Sequence, residues 1–142
     1  MNGDRSTMTP AELISARGQA FSRGDFGYIY DSYHSESNFR RQFATLEEYL
    51  QFGRTCLGRD YQIINCQVLA EKVDGHEAQV IYLMEIRAHG KVLHYAELAW
   101  LSRERDAWRY DRGLKMTEEE LPADSQALTF SDFVKLDPAT IF

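Results

Sequence analysis

From Tyr61 to Met116 the chain keeps the two-residue rhythm of β-strands, interrupted only by short turns, and this constrains the fold more than any other feature. "YQIINCQVLAEKV" is apolar and β-branched, and Asp74-Gly75 follows as a hairpin turn. "HEAQVIYLMEIRA" sets Val80, Tyr82, Met84 and Ile86 against Ile81, Leu83, Glu85 and Arg87. His89-Gly90 turns the chain into "KVLHYAELAWLSR", and "ERDA" leads into "WRYDRGLKM". Four strands joined this tightly form an antiparallel meander, and strands of this length twist and curl rather than lie flat.

The N-terminal third has a different period. Thr9 is placed to cap a helix that has Pro10 at its first position and Glu12 in its first turn. Leu13, Ala16, Ala20 and Phe21 fall on one face, and Gly24 supplies the left-handed residue that closes the helix. Asp25 caps a second helix with Phe26, Ile29, Tyr30 and Tyr33 on its packing face and Tyr28 at the rim. Residues 35–44 read as a loop. Thr45 with Glu48 forms a capping box for a third helix that runs to Gly58.

Helices followed by a run of antiparallel strands give an α+β fold: one domain over residues 1–142, with its core at about 9–116. Helices laid across the concave face of a curled sheet make a cone, with a pocket between the two layers. The tail, 117–142, starts acidic and ends in "LTFSDFVKL" and "ATIF", apolar enough to dock on the body, plug the cone or meet a partner.

Composition excludes several classes. A net charge of −6, with Arg40-Arg41 as the one basic cluster, argues against a nucleic-acid binder. No apolar run reaches the roughly 20 residues of a membrane span, and the polar start is unlike a signal peptide. Cys56 and Cys66 lack the spacing of a zinc site or a disulfide framework, so the expectation is a cytoplasmic protein without metal or cofactor.

The strings "AELISARGQAFSRGDFGYIYDSYH" and "ELAWLSRERDAWRYDRG" resemble the NTF2-like superfamily, and within it the YchJ-type domain found beside SEC-C zinc motifs. The shared features are the "AF..GD..Y.....H" helix pair and the "E…W.YDRG" terminal strands, over about residues 10–113. The cysteine-rich SEC-C segments are missing from this sequence, so the expectation is the bare module. The resemblance implies the cone fold. It does not assign a reaction, because the superfamily includes isomerases, dehydratases and epoxide hydrolases as well as subunits with no catalysis.

Residues 20–34 concentrate proton-carrying side chains, but caps and packing account for most of them. Asp25 is a cap, Tyr30 and Tyr33 pack, and His34 stands at a helix end where the dipole favours imidazolium. The sheet offers more. Leu93, Tyr95, Glu97, Ala99 and Leu101 share one face of the third strand, and Val92, His94, Ala96, Leu98 and Trp100 share the other. Glu97 in that apolar setting is either a general acid or base of raised pKa, or a carboxylate paired across the sheet with Arg109 or Arg87. Glu97, Tyr95 and Tyr30 are thus the catalytic candidates, and Tyr33, His34, Tyr82 and Tyr110 the ligand-binding ones.

Two functions fit these residues. One is a non-catalytic module that binds a small apolar ligand, or pairs as a homodimer through an apolar sheet face carrying Val92, Leu98, Trp100, Ile81 and Leu83. The other is a small-molecule lyase, isomerase or hydrolase, with Glu97 as base and Tyr30 or Tyr95 polarising an oxygen.

Overall fold

A computed structural model of the chain describes residues 7–54, 61–134 and 136. Among the described residues, four α-helices precede the sheet: α1 (Pro10–Arg23), α2 (Phe26–Ser32), α3 (Asn38–Gln42) and α4 (Leu46–Phe52). The capping chemistry sets their ends. Thr9 accepts from Glu12 N while the Glu12 carboxylate returns to Thr9 N, closing a capping box. Gly24, at φ 71°, ends α1 with its N–H on Ala20 and Phe21 carbonyls, and Asp25 accepts from Tyr28 N to start α2. Thr45 likewise accepts from Glu48 N at the head of α4.

The segment expected to be a loop, 35–44, contains α3. Ser37 caps it by accepting from Arg40 N, and its aromatics, rather than a regular period, hold it in place. The helix expected to run to Gly58 is described as far as Phe52, with Gly53 as its cap; Cys56, Leu57 and Gly58 lie outside the described residues.

The four strands are β1 (Tyr61–Asp74), β2 (Glu77–Ala88), β3 (Lys91–Glu104) and β4 (Ala107–Met116), all antiparallel in the order β1-β2-β3-β4. Their turns sit at the expected residues: Gly75, His89-Gly90 and Arg105-Asp106 all carry positive φ. Three register shifts interrupt the ladders, at Ile63/Asn65 and Val68/Ala70 against β2, and at Trp100/Leu101 where β4 skips Asp111. Each shift exchanges the faces of everything beyond it on the bulged strand. Before the β4 bulge, Trp108 and Tyr110 face the helices; after it, Gly113 and Lys115 do, being paired with Ala99 and Glu97.

The inner face of the sheet packs on α1 through Leu13, Ile14, Val80, Ala99, Leu101 and Trp108. Beside it, α2, α3 and α4 close around an aromatic cluster. There the buried Tyr49 meets Phe26, Phe39 and Phe43 edge-on at centroid distances of 5.9, 4.8 and 5.4 Å. The outer face is covered in part by the tail. Leu128, at the end of the second of two short 3₁₀ turns, and Phe133, in helix α5 (Phe130–Val134), are buried with Ile81, Leu98, Leu114 and Met116. The tail thus lies over the convex side of the sheet, and a share of the apolar face expected to be open is covered by the chain itself. Val92, on that face at the other end of β3, stays 42% exposed. Among the described residues, no helix is long and apolar enough to cross a membrane.

Candidate ligand-binding site

The curl of the sheet leaves a cavity of about 380 Å³ between α1 and strands β1 to β4. Its lining follows from three local rules. On α1, Ile14, Arg17, Gly18 and Phe21 stand at i, i+3, i+4 and i+7 and form a single stripe. On β2 and β3 the uninterrupted alternation delivers Tyr82, Met84 and Ile86, and opposite them Glu97 and Tyr95. On β1 and β4 the bulges deliver Cys66 and Lys115.

Glu97 is the polar centre of this cavity and is 4% exposed. Tyr110 donates its hydroxyl to Oε2 at 2.6 Å, and Tyr82, its direct cross-strand neighbour, also hydrogen-bonds the carboxylate. Burial holds the carboxyl above its ordinary pKa; the two phenols and the charges of Arg17 and Lys115 pull the other way without cancelling it. Burial, and then the field of Glu97, push Tyr82, Tyr95 and Tyr110 up as well. The same two causes push the Cys66 thiol up to about 11.

Arg17 forms the opposite wall. Its guanidinium lies 4.1 Å from the Tyr110 ring centroid and 4.6 Å from that of Tyr33, and Nη1 donates to Ser32 Oγ. Ser32 in turn donates to Ile29 O at 2.6 Å, so α2 fixes the position of a cation carried by α1. The Lys115 ammonium sits 4.3 Å from the Tyr95 ring centroid, on the strand next to Glu97. Tyr33 joins the cavity to the aromatic cluster: it stacks on Phe39 at 3.7 Å and meets Tyr110 edge-on at 5.2 Å.

Of the side chains singled out in the sequence, Glu97, Tyr95, Tyr33, Tyr82 and Tyr110 line this cavity together. Tyr30 does not: its hydroxyl donates to Phe43 O at 3.1 Å within the helical cluster, and its ring carries Arg40 at 4.1 Å. His34 is also outside. Its N–H bonds Tyr110 O, and its Nδ1 accepts from Glu36 N at 3.1 Å in the turn after α2. The cross-sheet partner expected for Glu97 is replaced too, since Arg109 donates to Asp31 O and the carboxylate is held by tyrosines instead. The sequence reading missed Arg17, Lys115 and Cys66. Arg17 had a signal, as a charged residue between Leu13 and Phe21 on an otherwise apolar helical stripe. Lys115 and Cys66 had none, because bulges decide their faces.

No curated protein matches the chain. Among solved structures, the solution structure of RPA3114, a SEC-C motif containing protein from Rhodopseudomonas palustris, is similar with a TM-score of 0.59 at 19% identity. The match covers 74% of this chain and 77% of that one, and shows the shared fold. The family described as YchJ, middle NTF2-like domain, matches over residues 9–113. That span takes in α1 to α4, the cavity stripe of α1 and the sheet up to Gly113. The fold is NTF2-like, and the chain belongs to the family of the YchJ middle NTF2-like domain.

Proposed function

We propose that the chain is a binding module for a small, largely apolar molecule held in the cone cavity. One observation carries this reading: an open cavity of about 380 Å³ whose mainly aliphatic and aromatic walls converge on Arg17, Glu97 and Lys115. Volume and lining of this kind are what ligand pockets have in common. A structural core would instead be filled. Glu97 supports binding rather than turnover, because Tyr110 and Tyr82 both hydrogen-bond its carboxylate and fix it in the wall.

The test is a thermal-shift screen of aromatic and polycyclic compounds on the full chain, repeated on Gly18→Phe. Gly18 lies on the cavity stripe with Cys66 Cβ 3.3 Å from where its own Cβ would stand, so a large side chain there takes up the space. Hits that raise the Tm of the wild type and not of a folded Gly18→Phe support the reading. Hits that stabilise both equally, or no hits, overturn it.

A second reading rests on the raised proton affinity of Glu97, which would suit a general base acting on a bound ligand. Product formation from a cavity ligand by the wild type but not by Glu97→Gln would favour it. Pairing of two copies through the sheet is a separate proposal. The face available is the part the tail leaves uncovered, around Val92, and sedimentation of a Val92→Glu variant against the wild type tests it.

A further inference from the structure

The polar groups of the cavity carry a sign. Arg17 and Lys115 are cations, and Glu97 is the one acid among the lining residues. Tyr82, Tyr95, Tyr110 and Cys66 stay neutral near pH 7, since each holds its proton more tightly than usual. The cavity therefore has a positive balance whether or not Glu97 is ionised, inside a chain whose net charge is −6. That local reversal against the overall charge is built from two separate elements, a helix and the last strand.

An aromatic cavity with a carboxylate could in principle cage an amine. Here those places are filled. Arg17 lies on the faces of Tyr33 and Tyr110, Lys115 lies on Tyr95, and Glu97 receives the hydroxyls of Tyr110 and Tyr82. A second cation would meet two like charges and a carboxylate already hydrogen-bonded by two phenols. An anion would meet Arg17, whose guanidinium has five donors, of which Ser32 and Tyr33 engage only some. The rest of the lining, including Ile14, Ile63, Met84 and Ile86, is largely apolar and adds no further carboxylate.

Resting on the cavity being a ligand site, we infer that its ligand is a flat, apolar carboxylic acid bound as the anion, with its rings against the aromatic and aliphatic walls and its carboxylate toward Arg17 and Lys115. Arg17 gives direction, because a planar guanidinium matches a carboxylate, while Lys115 adds charge without a fixed geometry.

The experiment is calorimetric titration of the full chain near neutral pH with three ligands of one shape: naphthoate, naphthamide and naphthylmethylamine. Naphthoate is expected to bind about tenfold more tightly than the amide, the scale of one charge-assisted hydrogen bond, and the amine most weakly. Lys115→Met and Arg17→Met are each expected to remove most of the naphthoate advantage while leaving naphthamide within about twofold. Arg17→Lys, which keeps the charge should the methionine variant fold poorly, is expected to recover part of it. Naphthamide or the amine binding as well as naphthoate would overturn the anion inference and leave the cavity as a ligand site. Failure of all three to bind would count against the cavity as a site for ligands of this kind, and would overturn the inference with it.

Discussion

Tyr110 and Glu97, on adjacent strands, are joined by a buried 2.6 Å hydrogen bond in which the phenol donates to the carboxylate. The bond does not offset the burial of the acid, whose proton is held more tightly in the folded chain than in the unfolded one. Linkage then fixes the sign. The contribution of Glu97 to stability is fully present below the unfolded carboxyl pKa, about 4.3, and is lost as pH rises through the higher folded value. Glu97→Gln keeps the shape and an acceptor for Tyr110 but cannot ionise. Its Tm is expected to exceed that of the wild type near pH 8 and to lose that advantage near pH 4. A variant less stable than the wild type near pH 8 would show that the ionised carboxylate holds the site together.

Gly113 is the position that lets this pair close. A Cβ there would stand 2.5 Å from Glu97 Oε2 and overlap the Tyr110 hydroxyl. Gly113→Ala is expected to destabilise the fold by about 1–3 kcal/mol in denaturant titrations, the usual cost of overfilling a packed interior. Removing the hydroxyl makes room, so Tyr110→Phe is expected to recover part of the loss when combined with Gly113→Ala. Strict additivity of the two substitutions would show that the clash is not what matters.

On the outer face, His94 joins the start of the tail to the sheet. Nδ1 lies 2.8 Å from Glu118 Oε1 and Nε2 lies 3.1 Å from Glu85 Oε2. Both bonds favour the imidazolium and raise its pKa above the ordinary 6.5, Glu118 more than Glu85. Its contribution is present below that ordinary value and fades as pH rises through the raised one. The Tm difference between the wild type and His94→Gln is expected to be larger near pH 6 than near pH 9. It is also expected to shrink with added salt, because the group is exposed. A difference that ignores both pH and salt would rule out the ionic contact.

Much of the fold was legible in the sequence because it depends on short-range chemistry. Thr9, Gly24, Asp25 and Thr45 mark helix ends through their own side chains or backbone, and Gly75 and His89-Gly90 mark turns. The inner faces of β2 and β3 were legible because no bulge interrupts their pairing, so Tyr82, Tyr95 and Glu97 fall where a period of two puts them. The bulges near Ile64 and Asp111 leave no such mark, and they decide that Cys66 and Lys115 turn inward. Tyr30 and His34 were misplaced for another reason. A helical face can be read from spacing, but whether it packs on the sheet or on α3 and α4 depends on where α3 lies, and its residues read as loop.

Cys66 reports on the cavity directly. Burial and the nearby Glu97 push its thiol up to about 11, so near pH 8 only about one molecule in a thousand carries the thiolate that reacts. Alkylation of Cys66 by iodoacetamide, followed by mass spectrometry of the peptide that contains it, is therefore expected to be far slower than that of a free thiol. Its rate should keep rising roughly tenfold per pH unit beyond the range where an ordinary thiol levels off, about 8.5. Because Cys66 lines the cavity beside Gly18, a ligand bound in the cavity would cover it. Naphthoate at saturating concentration is expected to slow the reaction further, and to do so less in Arg17→Lys, where the anion is held less firmly. A rate that plateaus at the ordinary thiol pKa would place Cys66 outside this environment. A rate indifferent to a ligand that calorimetry shows to be bound would place that ligand elsewhere on the protein.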